Sequence, residues 1–204
     1  MPKLILLRHG QSTWNLENRF TGWIDVPLTE QGKKEAEEAG KLLKDIKLDI
    51  AFTSVLIRAV DTLSIALRAA GQDVLPIVFN KAINERMYGD LQGLNKAETA
   101  VKFGDHQVKL WRRSYDVAPP NGESLKDTAA RSIPYFQKDI LPVVLSGKNV
   151  LVSAHGNSLR SIVMHLDKMT EAEVLELNIP NGVPIVYDFD SEGNILSKTE
   201  LASA

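Results

Sequence analysis

The chain has 204 residues, 44% of them hydrophobic, with a formal net charge of −2 and no cysteine, enough to close one sizeable core, so a single domain is expected over residues 1–204. The charge balance excludes a global attraction to nucleic acid or to an anionic membrane, and the missing cysteines exclude disulfides, thiolate nucleophiles and sulfur-ligated zinc. The opening MPKLILLRHG has too short an apolar run for a secretory leader, no stretch approaches the ~18–20 apolar residues of a membrane span, and a reducing cytoplasm is the expected compartment.

Four aliphatic residues, Leu4 to Leu7, read as a short strand buried on both faces, and they end abruptly in Arg8-His9-Gly10. A polar loop containing Trp14 and Trp23 follows. Thr29 then caps a helix whose Ala36, Ala39, Gly40 and Leu43 share one face, with Glu30–Lys34 and Glu37–Lys41 as i, i+4 pairs on the other. DIAFTS reads as a second strand whose Thr-Ser end caps a helix with Leu56, Val60, Leu63 and Leu67 in a stripe and Gly71 as its stop.

Residues 80–121 break this rhythm. INERMYGDLQGL is loop-like, and two short polar helical segments carry Lys96 and Trp111-Arg112-Arg113, as expected of a cap inserted between sheet elements. From Glu123 a helical pattern runs to about Leu145, with Pro134 and Pro142 expected to kink or end it. NVLVSAHGNSLRSIVMHL then repeats the opening pattern of buried strand, His-Gly turn and helix, and VPIVYDFD and ILSKTEL around the turn SEGN predict a closing hairpin. The alternation implies a three-layer α/β sandwich: a mainly parallel central sheet flanked by helices, plus the small helical cap.

Ligands collect at the carboxyl ends of strands in such sheets. Three strand ends here carry Arg8-His9, Arg58 and His155, and Gly10 and Gly156 let backbone amides come close to a ligand. Two imidazoles, two guanidiniums and helix amides suit a phosphate. Arg8 and Arg58 would repel a cation, and neither GxxxxGK[ST] nor GxGxxG occurs. Read singly, each group has a plainer use: Arg58 can pair with Asp61, and Glu85 with Arg86. His106 and His165 lack the strand-end context and read as an exposed helix residue and a helix-face packing residue.

Leu7-Arg8-His9-Gly10 with Ala154-His155-Gly156-Asn157-Ser158 resembles the histidine phosphatase superfamily. Phe20-Thr21-Gly22-Trp23, Asn84-Glu85-Arg86 with Tyr88-Gly89, Leu91 to Lys96 and Trp111-Arg112-Arg113 are similar to its cofactor-dependent phosphoglycerate mutases. The resemblance implies a phosphorylated His9, a surround of Arg8, Arg58 and His155 for the transferring group, and Glu85 as general acid and base. It implies substrate contacts from Ser12, Asn15, Thr21, Gly22, Arg86, Tyr88, Lys96, Arg112, Arg113, Gly156 and Asn157. The implied reaction interconverts 3-phosphoglycerate and 2-phosphoglycerate after priming by 2,3-bisphosphoglycerate, without a metal. The alternative is a phosphohistidine-dependent phosphatase of small metabolites. Departures are Gln11 for a usual Glu, Met87 for a usual His, and the short join APPNGESL, which leaves part of the lid and a homo-oligomeric state open.

Overall fold

The computed structural model describes residues 1–202. Six strands form one sheet in the order β3-β2-β4-β1-β5-β6: β1 (Lys3–Arg8), β2 (Ile50–Thr53), β3 (Ile77–Phe79), β4 (Val150–Ala154), β5 (Ile185–Phe189) and β6 (Ile195–Glu200). The first four run parallel, while β5 and β6 form the expected antiparallel hairpin. Strand β3, three residues at the sheet edge, has no counterpart in the sequence reading, being too short to show a period.

Side chains alternate across the sheet, as a two-residue period requires. Leu4 and Leu6 of β1 join Val150 and Val152 of β4 in one core, with Phe136, Ile140, Leu159 and Ile162 from the helices above. Ile5 and Leu7 face the other way and join Leu151, Ala39, Leu43, Leu63 and Leu67. Each buried aliphatic chain contributes about 1.5–3 kcal/mol, which anchors β1 and β4 at the centre.

On that second face lie α2 (Glu30–Leu43), capped by Thr29 as expected, and α3 (Ile57–Ala69). Lys33, rather than Lys34, reaches Glu30 at 3.1 Å, and Lys41 sits closer to Glu38 (2.9 Å) than to Glu37 (4.0 Å). Helix α3 has Leu56 at its N-cap and no side-chain cap; Ser54, two residues earlier, accepts from the Leu56 N–H at 3.3 Å and bonds His155 with the same hydroxyl. Gly71 ends it with φ +69°.

The opposite face holds α6 (Leu125–Tyr135), α7 (Leu141–Leu145) and α8 (Gly156–Asp167), followed by α9 (Glu171–Glu176). The two prolines do not break the segment from 125 to 145. A π-helical turn, Phe136–Ile140, widens the helix between them and Pro142 opens α7, where a missing N–H costs little. The short α1 (Thr13–Leu16) forms in the first loop, and the cap carries α4 (Lys96–Phe103) and α5 (Asp105–Arg113) around Phe20, Leu91, Val108 and Trp111. No helix among the described residues is long and apolar enough to cross a membrane.

Candidate active site

Register decides where the site lies. Arg8 pairs with Ala154 and Thr53 with Ser153, so β1, β2 and β4 end at nearly one level. The next residues along each strand, His9, Ser54 and His155, therefore meet. The His9 and His155 rings lie 5.1 Å apart, and Ser54 Oγ is 2.7 Å from His155 Nε2. Gly10 makes this turn fit: a Cβ there would lie 2.1 Å from the Gly32 carbonyl oxygen.

His9 Nδ1 is 2.7 Å from the carbonyl oxygen of Gly10, an acceptor only, so Nδ1 carries the proton and Nε2 presents a lone pair to the cavity. Burial holds the His9 ring well below the usual histidine pKa, and Arg58 and Arg8 add to the shift. His155, its ring beside that of His9, is fully buried, and burial, then Arg58 and His9, lower it.

Two guanidiniums flank the pair. Arg58 donates to the carbonyls of Gly22 (2.6 Å) and Ile24 (3.0 Å), not to Asp61, and burial lowers it to about 10 against an opposing pull from Glu85. Arg8 donates to Ile179 at 2.8 Å and lies against Gly156, where a Cβ would come within 3.3 Å of its Cζ. Arg8 Nε, Arg58 Nε and His155 Nδ1 are buried without a hydrogen-bond partner. Unpaired buried donors carry a desolvation cost that an anion relieves.

The cap closes the other side. Glu85 Oε1 accepts from the backbone N–H groups of Arg86 (2.8 Å) and Asn157 (3.0 Å), which leaves Oε2 to the cavity. Tyr88, Lys96, Arg112 and Arg113 line the same space, with Asn15, Thr21 and Gly22 from the first loop and Gly156 and Asn157 from the start of α8. The cavity encloses about 160 Å³, room for a small molecule in place of several waters at ~30 Å³ each. Burial, then Arg112 and Arg8, depress Lys96 to about 8, and burial and Arg113 depress Arg112. The site is thus a concentration of uncompensated positive charge.

The family model described as Histidine phosphatase superfamily (branch 1) matches residues 4–201. The chain belongs to the histidine phosphatase superfamily. A relative from Rhizobium meliloti, named a 2,3-bisphosphoglycerate-dependent phosphoglycerate mutase, is 58% identical, covering 97% of this chain and 95% of its own. One of the same name from Parvibaculum lavamentivorans is 55% identical over 98% and 97%. Among solved structures, a mycobacterial glucosyl-3-phosphoglycerate phosphatase superposes with a TM-score of 0.81 at 27% identity, covering all of this chain and 99% of that one.

Two residues expected at the substrate lie elsewhere in this superfamily site. Ser12 is fully buried and caps α1, its Oγ accepting from the Asn15 N–H at 3.1 Å. Arg86 is also fully buried; its guanidinium donates to the carbonyls of Glu123, at 2.5 Å, and Trp111. Both point away from the cavity because neighbouring backbone groups need them as partners. Conversely, the sequence reading missed Arg19 and Arg160 on the cavity wall, together with Leu177 to Ile179. Arg160 bridges Asn157 Oδ1 (2.9 Å) and the Val174 carbonyl (2.8 Å). Its only sequence signal was a place on α8 one turn beyond Gly156-Asn157.

Proposed function

We propose that this chain interconverts 3-phosphoglycerate and 2-phosphoglycerate, a step of glycolysis and gluconeogenesis, by passing a phosphoryl group through His9. The observation that carries the reading is the neutral His9 ring facing a cavity with cationic groups on two sides. A phosphatase needs a grip on one phosphate. A mutase must hold a small, multiply charged acid at both ends while it changes which oxygen is phosphorylated, and the relatives at 55–58% identity carry that name.

The steps follow from the atoms present. The His9 Nε2 lone pair attacks phosphorus, the N–P bond forms, and the P–O bond breaks with its electron pair going to the glycerate oxygen. Glu85 gives that oxygen a proton and later takes one from the other hydroxyl. Positive charge gathering on the ring is met at Nδ1–H by the Gly10 carbonyl. Arg8, Arg58 and His155 stabilise the equatorial oxygens of the transferring group, an electrostatic contribution of several kcal/mol.

The unpaired Arg8 and Arg58 nitrogens and the depressed Lys96 fit a bisphosphorylated acid, held between Arg8 and Arg58 at one end and Lys96, Arg112 and Arg113 at the other. 2,3-Bisphosphoglycerate supplies the phosphoryl group that primes His9. The reading calls on no metal, nucleic acid or membrane partner, and it places the reaction in the cytoplasm within one mutase-like domain.

Labelled 2,3-bisphosphoglycerate should leave an acid-labile, base-stable phosphoryl group on the wild-type chain. His9→Ala should take up none and lose turnover. Label retained in the variant would remove His9 from its role.

A further inference from the structure

We propose that Arg131 and Glu123, both outside the catalytic cavity, are positioning residues that fix Glu85 for proton transfer; the proposal rests on the role of Glu85 given above. Glu85 lies between two single 3₁₀ turns, Lys81–Ile83 and Gly89–Leu91, in a stretch with no helix or strand of its own. Nothing in a regular ladder holds its backbone. The Arg131 guanidinium does so instead. Its Nη1 donates to the carbonyls of Ala82 (2.8 Å) and Asn84 (3.1 Å), and its Nη2 donates to that of Glu85 (2.8 Å).

The remaining N–H groups of the fork grip Glu123, with Nε to Oε2 and Nη2 to Oε1 both at 2.8 Å. Glu123 in turn binds the far side of the same stretch: its Oε1 accepts from Met87 N–H (2.8 Å), and its own N–H donates to the Met87 carbonyl (2.7 Å). The Trp23 ring lies 5.3 Å from the guanidinium, and its Nε1 donates to the Glu85 carbonyl at 2.5 Å. One planar cation therefore sets the directions of three carbonyls, those of Ala82, Asn84 and Glu85, around the general acid. The pair is about one-fifth exposed, so bidentate, charge-assisted bonds hold it more firmly than a surface ion pair would be held. Lysine carries the charge but not the fork.

Misplacing a proton donor by about 1 Å costs rate in proportion to how much the leaving group needs the proton. Glycerate oxygen needs it. Acetate, leaving from acetyl phosphate, departs as a stable anion: the His9 N–P bond forms, the P–O bond breaks, and no proton is required. Arg131→Lys and Glu123→Gln should therefore lower kcat for 3-phosphoglycerate about 10- to 100-fold with KM nearly unchanged, while the rapid-quench rate of His9 phosphorylation by acetyl phosphate falls less than about threefold. Glu85→Gln should show the same contrast more strongly. An equal fall with both donors at unchanged thermal midpoint, or no fall with either, would overturn the positioning role. If Glu85→Gln itself shows no contrast, the general-acid assignment fails, and the clamp loses its purpose with it.

Discussion

The surroundings of His9, the proposed nucleophile, keep its Nε2 free of a proton at neutral pH and below. Burial dominates, and Arg58 and Arg8 reinforce it; burial sets His155 the same way. In both rings the folded-state pKa lies below the unfolded value of about 6.5. Their contribution to stability is therefore complete above that pH and is lost as pH falls below it, because the unfolded chain takes up protons that the folded chain refuses. Each buried ring should make stability fall by up to ~1.4 kcal/mol per pH unit over this window. Urea midpoints measured from pH 7 to pH 5.5 should decline, and about half as steeply in His155→Gln; a flat profile would contradict neutral buried rings. Lys96 has the same sign but a higher window. Lowered to about 8 by burial, then by Arg112 and Arg8, it loses its charge above that pH, so inorganic phosphate affinity measured calorimetrically should weaken from pH 8 to 9, by roughly tenfold per unit at most. Lys96→Met should bind weakly but without that decline.

At the scale of elements, the site depends on close approach between backbones. Helices α2 and α3 touch at Gly40, where a Cβ would lie 2.2 Å from the Ala66 carbonyl oxygen. Gly40→Ala should force the two helices apart and cost about 1–3 kcal/mol in urea unfolding, as overpacking does, although alanine is the better helix former. Unchanged or raised stability would show that the pair has slack. Strands other than β3, the two helices of the cap and the hairpin were legible because period, caps and Gly stops are local signals. What was not legible has one physical character. Ser54 bonding to His155, Arg86 turning inward to Trp111 and Glu123, and Arg131 reaching Ala82 and Asn84 are all choices of partner made across the fold. Backbone carbonyls as acceptors leave no trace in residue type. Likewise Pro134 and Pro142 signalled a break, but the packing of Phe136 and Ile140 into the core kept the helix going through a wider turn.

For the whole molecule, a chain of net charge −2 gathers seven of its 24 Lys and Arg side chains around one cavity, where sheet and cap meet. The sheet end supplies His9 and one cationic wall; the cap supplies Glu85 and the other. A mycobacterial phosphatase shares this architecture, so the fold alone does not separate transfer back to glycerate from transfer to water. On the proposed reading the second cationic wall separates them, by retaining the glycerate while His9 is phosphorylated. The most direct test follows 2-phosphoglycerate formation and free phosphate release in one tube, from 3-phosphoglycerate with a trace of 2,3-bisphosphoglycerate. Rapid isomerisation that depends on the trace compound, with little phosphate released, is the predicted result; phosphate release without isomerisation would contradict the account and make the chain a phosphatase.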